Sequence, residues 1–118
     1  MTGPFFRLIV IRALDLERTA VFYRDAGLDL KIERHGNWPA HYATDLNGVV
    51  FEIYPARTNE DVDRKTRLGF TVVNLPAVLA ELQAHGTDIA EEGMQTEWGM
   101  RAIVKDPDGR IVELYSAE

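Results

Sequence analysis

The feature that most constrains this chain is that it repeats itself. The segment DLNGVVFEIY at 45–54 returns as DPDGRIVELY at 106–115, with Asp, Gly, Glu and Tyr identical at an offset of 61. Asp15-Leu16 corresponds to Asn74-Leu75, and Gly27 to Gly86, both at an offset of 59. Trp38 and Trp98 stand 60 apart. An offset that drifts this little, with the matches in one order, means two copies of one unit separated by small insertions. A length of 118 residues suits a single domain with one main core, and leaves open whether the two copies pair within one chain or between two chains.

Each copy reads as strand, helix and three strands, an α+β pattern. Residues 6–12 are β-branched and apolar, a strand. Asp15 is placed to cap a helix, because its carboxylate accepts an otherwise free backbone N–H. Leu16, Ala20 and Tyr23 then share one helical face, and Gly27 ends the helix. Strands are expected at 28–34, 40–45 and 49–54, the last two joined by Asn47-Gly48, a two-residue hairpin signal. The second copy gives a strand at 67–73, Asn74 as cap, and Pro76 in the first helical turn, where its missing N–H costs nothing. Leu75, Val78, Leu79 and Leu82 make the apolar stripe. Strands near 88–92, 100–105 and 110–115 follow, with Asp106-Pro107-Asp108-Gly109 as a turn before the last. Module one spans 5–56, a polar, mixed-charge linker 57–66, and module two 67–116.

Two β-α-β-β-β units in tandem, the helix entry ALDLERTAVFY at 13–23 and the terminal DPDGRIVEL at 106–114 resemble the vicinal oxygen chelate superfamily of glyoxalase I, bleomycin-resistance proteins and extradiol dioxygenases. The resemblance covers nearly the whole chain. It implies a cup-shaped sheet with helices outside, a ligand inside the cup, and often a divalent metal. It also implies a C2 homodimer with ligand grooves at the interface.

In metal-using members, ligands come from the first strand of each module and from the last strand of one or both. The last-strand positions here are Glu52 and Glu113; counting back six from Asp15 and Asn74 puts the first-strand positions at Ile9 and Leu68. Neither aliphatic side chain coordinates a metal, and two carboxylates alone suit borderline metals poorly. A cofactor is therefore not expected. A divalent metal would need His41 beside Glu52 and Glu113, with the direction of His41 set by strand parity.

Without a metal, two carboxylates brought together would raise one pKa and leave a general base, or a receptor for a cationic group. The alternative is that each is solvated or paired with Arg12, Arg101 or another base. Trp38, Tyr42, Tyr54, Trp98, Met100 and Tyr115 are the candidate ligand-binding residues. Aromatic rings beside carboxylates suit a flat or cationic organic molecule. Trp98, flanked by Gly99, is placed to act as a lid.

Charge and composition exclude other classes. A net charge of -6, with basic residues scattered among acids, offers no footprint for nucleic acid. No apolar run spans a bilayer and the first residues lack a secretory pattern, so a cytoplasmic location without membrane contact is expected. No cysteine is present, which removes thiolate chemistry. Three functions stay open: a metal-free small-molecule binder like the bleomycin-resistance proteins, a metal-dependent lyase, isomerase or dioxygenase of the glyoxalase type, and a metal-free enzyme with Glu52 or Glu113 as base.

Overall fold

The computed structural model describes residues 3–117. Strand β1 (Leu8–Ala13), helix α1 (Leu16–Asp25), and strands β2 (Lys31–Glu33), β3 (His41–Leu46) and β4 (Val49–Pro55) form one unit. Strand β5 (Leu68–Val72), helix α2 (Leu75–Ala84), and strands β6 (Ile89–Thr96), β7 (Gly99–Lys105) and β8 (Ile111–Ser116) form the other. The two four-stranded sheets have equivalent orders, β1-β4-β3-β2 and β5-β8-β7-β6. In each, the first strand runs parallel to the last and the others are antiparallel. The tandem glyoxalase/bleomycin-resistance architecture expected from the sequence is thus the one observed.

Local chemistry accounts for the element ends. The Asp15 carboxylate accepts from the Arg18 amide at 3.0 Å, and the Asn74 side chain accepts from the Ala77 amide at 3.1 Å, so both caps form where the repeat placed them. Asn47 and Gly48 both have positive φ, 54° and 94°, which matches the right-handed twist of a tight hairpin. Two strands differ most in length from expectation. β2 keeps only three residues, because Leu28 and Leu30 turn into the core below α1. β6 runs on to Thr96 but carries register shifts between Ile89 and Met94, with Gly93 at positive φ.

The helix-facing sides of both sheets contribute to one core. Ile11, Phe51 and Ile53 of the first module join Val72, Leu82, Val112 and Leu114 of the second in a single buried cluster. Helices α1 and α2 touch, and Tyr23, Phe51 and Phe70 form a ring cluster across the two units, with centroids 5.2–6.1 Å apart. The linker is less detached than its polarity implied. Val62 is buried, and the Asp63 carbonyl accepts from Arg110 Nε at 2.9 Å. Neither helix is long and apolar enough to cross a membrane.

A buried polar network staples one unit to the other. Tyr23 donates to Asp106 Oδ2 at 2.7 Å, Arg110 Nη1 donates to the same oxygen at 3.0 Å, and Arg110 Nη2 donates to the Arg12 carbonyl. Burial, then the neighbouring Asp106 carboxylate, holds the Tyr23 phenol well above its ordinary pKa of 10.0. A raised folded pKa means stability that is complete below the unfolded value near 10 and is lost as pH rises through the folded one. Urea midpoints of the native chain are therefore expected to fall more steeply above pH 10 than those of Tyr23→Phe. Parallel alkaline limbs would show that Tyr23 does not carry this dependence.

Candidate functional site

Strand register settles which side chains share the face turned away from the helices. In sheet one, Val10 pairs with Glu52, Ala43 with Glu52, and Glu33 with His41, so Leu8, Val10, Arg12, Glu33, His41, Glu52 and Tyr54 lie on one face. In sheet two, Gly69 and Ile103 pair with Glu113, and Arg101 and Thr71 with Tyr115, so these share the corresponding face.

Several expectations are corrected by this parity. Tyr42 points to the helix side, where its hydroxyl donates to Glu17 of α1 at 2.6 Å; it pairs with Ile53, not with the Glu52 row. Met100 likewise lies on the helix side with Ala102 and Val104, beside a separate cavity of about 820 Å³ against α2. Ile9 and Leu68 also face the helices, partly buried against the core. The first-strand residues that flank the two glutamates are instead Leu8 and Val10 in module one, and Gly69 with Arg67 just before it in module two.

Arg67 decides the chemistry around Glu113. Its Nε donates to Glu113 Oε2 at 2.5 Å, Tyr115 donates to Oε1 at 2.6 Å, and Arg101 Nη1 lies 3.7 Å from Oε1. The hydrogen bond from Tyr115, helped by Arg67 and Arg101, holds the Glu113 carboxyl below its ordinary value of 4.5. The condition for a raised carboxylate pKa, close approach of Glu52, is not met here; Glu113 follows the alternative of pairing with basic side chains and is a weaker base than a free glutamate. Among the described residues no hydrogen bond or ion pair joins Glu52 to Glu113; each is engaged within its own sheet.

The sign of the Glu113 shift gives a prediction. A depressed folded pKa contributes stability above about pH 4.5, lost as pH falls through the folded value. Glu113→Gln should therefore lose less stability than the native chain between pH 6 and pH 3, as read from urea midpoints. An identical acid limb in both proteins would contradict the pairing.

Ile9 and Leu68, the first-strand positions that the resemblance gives for metal ligands, do not fit a metal. Leu8, Val10 and Gly69, which flank the two glutamates instead, offer no ligand atom either, and the guanidinium of Arg67 already pairs with Glu113.

Around Glu52 the surroundings differ. His41 is fully buried, its ring stacked on Tyr54 with centroids 4.2 Å apart and planes at 8°. Its Nδ1 lies 3.3 Å from the Pro39 carbonyl oxygen. Its Nε2 lies 3.4 Å from Glu33 Oε1 and 3.8 Å from Glu52 Oε2, with no hydrogen-bond partner. The turn at 35–39, closed by Trp38 N donating to the His35 carbonyl at 3.0 Å, brings His35 over this group, its Nε2 3.3 Å from Glu33 Oε1. Glu33 and His35 were missed from sequence because nothing local shows that the turn folds back on β3.

Beside this group lies a pocket of about 750 Å³ lined by Arg12, His35, Trp38, Pro39, Tyr54 and Arg57. The Arg12 guanidinium sits 5.6 Å from the Tyr54 ring centroid, and Trp38 is 67% exposed at the rim. Trp98 occupies the equivalent exposed turn between β6 and β7.

A family model described as Glyoxalase/Bleomycin resistance protein/Dioxygenase superfamily matches residues 6–114. Among curated proteins no match is found. Solved structures share the fold over nearly their whole length. An antibiotic binding protein, TnmS3 from Streptomyces sp. CB03234, superposes with a TM-score of 0.73 at 22% identity, covering 100% of this chain and 99% of that one. The oxidase ChaP-H2 gives 0.77 at 15% identity, covering 99% and 96%. A glyoxalase-related enzyme from Fulvimarina pelagi gives 0.71 at 22% identity, covering 95% and 87%.

Proposed function

We propose a function from one premise: the chain belongs to the glyoxalase/bleomycin resistance protein/dioxygenase superfamily. Within it, this chain is a binding protein for a small organic molecule, with no metal held between Glu52 and Glu113. The observation that supports this reading is the Arg67–Glu113 pair, in which a guanidinium rather than a further ligand engages the carboxylate. The pocket beside Tyr54 has the size and the mixed aromatic and polar lining of a small-molecule site. The fold shared with an antibiotic binding protein is in keeping with such a role.

The charges amend the expected ligand. Arg12 and Arg57 flank the aromatic wall, and the Glu113 charge is engaged by Arg67 and Arg101. A flat aromatic molecule with an anionic group therefore suits the pocket better than a cation: its ring lies on Tyr54 and Trp38, its charge meets the arginines. A thermal-shift screen of planar aromatic acids and aromatic antibiotics tests this. Ligands that bind the folded chain raise its melting temperature by mass action. Hits should favour anionic compounds and weaken in Tyr54→Ala. Hits confined to cations, or unaffected by Tyr54→Ala, would overturn the assignment.

The same reading includes a homodimer. Leu8 and Val10 on β1, an edge strand of sheet one, and Phe6 just before it are exposed apolar side chains. A second copy packed across this edge would cover them and wall in the pocket. Val10→Glu is expected to shift the chain from dimer to monomer in light scattering. A native chain that is monomeric at all concentrations would remove this part of the proposal.

A further inference from the structure

The geometry points to a divalent transition-metal site on the outer edge of sheet one, built from Glu33, His35 and His41 with Glu52 as the nearest further carboxylate. It borders on Glu52 but does not involve Glu113, and it does not depend on what the adjoining pocket binds.

His41 is the anchor of the group. A carbonyl oxygen only accepts, so the contact between Nδ1 and the Pro39 carbonyl places the proton on Nδ1. In the neutral ring, Nε2 then presents a lone pair. That lone pair is buried without a hydrogen-bond partner and faces two carboxylate oxygens, from Glu33 and Glu52, which are themselves acceptors. Three acceptors facing one another, one of them on a fully buried ring, repel unless a cation stands among them, either a proton on Nε2 or a metal ion. An N–H donated to a backbone carbonyl is also the arrangement that orients a ligating histidine and fixes its tautomer. Stacking on Tyr54 holds the ring in that orientation.

The distances fit a shared ion. The ligand atoms of Glu33, His35 and His41 all lie within 4.8 Å of one another. Glu33 Oε1 is 3.3 Å from His35 Nε2 and 3.4 Å from His41 Nε2. Ligand atoms around a tetrahedral ion at bond lengths of about 2.0–2.1 Å stand about 3.3–3.4 Å apart. Two imidazoles and a carboxylate select a borderline cation such as zinc or cobalt over magnesium or calcium. His35 also lines the pocket, so a fourth position would open towards it. By contrast, the other histidine–carboxylate group, Asp25, Glu81 and His85, has no buried histidine, and its His85 Nδ1 is bonded to Asp25 at 2.6 Å.

The test uses the full chain stripped of metal, titrated with Zn²⁺ by calorimetry and with Co²⁺ by visible absorption. One ion per chain is expected, with the intense visible bands of tetrahedral cobalt. His35→Ala and Glu33→Gln, both at exposed side chains that leave the core intact, should each weaken binding by at least about 100-fold, the upper end of what losing even an outer-shell partner costs. Glu113→Gln should bind as the native chain does. Absence of binding, wild-type affinity in either His35→Ala or Glu33→Gln, or loss of binding in Glu113→Gln would each overturn the site. Absence of binding together with a doubly protonated His41 in NMR spectra at neutral pH would show that a proton stands where the ion is inferred.

Discussion

Arg110→Ala is expected to lower the stability of the fold by about 3–5 kcal/mol, because it strips the partner from a buried charge. The Arg110 guanidinium is 1% exposed and contacts four groups: the carboxylates of Asp106 and Asp108, and the carbonyls of Asp63 and Arg12. Without it, Asp106 keeps only the Tyr23 hydroxyl and the amides of Asp108 and Arg110, while the Asp63 and Arg12 carbonyls lose their donor. Arg110→Lys keeps the charge but not the planar fork, so it should fall between the native chain and Arg110→Ala. Urea unfolding at neutral pH measures both. A loss below about 1 kcal/mol for Arg110→Ala, the range of an exposed ion pair, would show that the network does not join the two units.

Phe51→Ala should cost a similar amount, about 3–5 kcal/mol, for a different reason. The Phe51 ring is 1% exposed and packs against Tyr23 from its own unit and Phe70 from the other. Its removal leaves a cavity that rings anchored on two separate sheets cannot easily collapse to fill. Because the cluster belongs to both units, the weakened chain should still unfold in one cooperative transition at a lower midpoint. Two resolved transitions would mean that each β-α-β-β-β unit holds its own core.

What could be read from the sequence were the features that local chemistry fixes. Asp15 and Asn74 cap helices wherever a chain enters one, and Asn47-Gly48 favours one kind of turn, so the two-unit architecture was legible from the repeat. The motif at 106–110 was legible as a turn, but not as the staple it is, because Asp106 and Arg110 find their partners in Tyr23, Asp63 and Arg12 far along the chain. Side-chain direction was less legible. One residue of register moves a strand residue to the other face. That single step turned Tyr42, Met100, Ile9 and Leu68 towards the helices and left Arg67, just outside β5, to meet Glu113. His41 was recognised as a candidate whose direction depended on parity, and the register places it in the row of Glu52 and Tyr54. Glu33 and His35 join it only through the fold of the 35–39 turn.

The central claim is that the pocket against Tyr54 takes a flat organic molecule under Trp38. The most direct measurement is the fluorescence of Trp98→Phe, which leaves Trp38 as the sole tryptophan, during titration with the strongest compound from the thermal-shift screen. Saturable quenching at one ligand per chain, abolished by Tyr54→Ala, is the predicted result. Binding that leaves Trp38 fluorescence unchanged, or that survives Tyr54→Ala at full affinity, would place the ligand elsewhere and contradict the account.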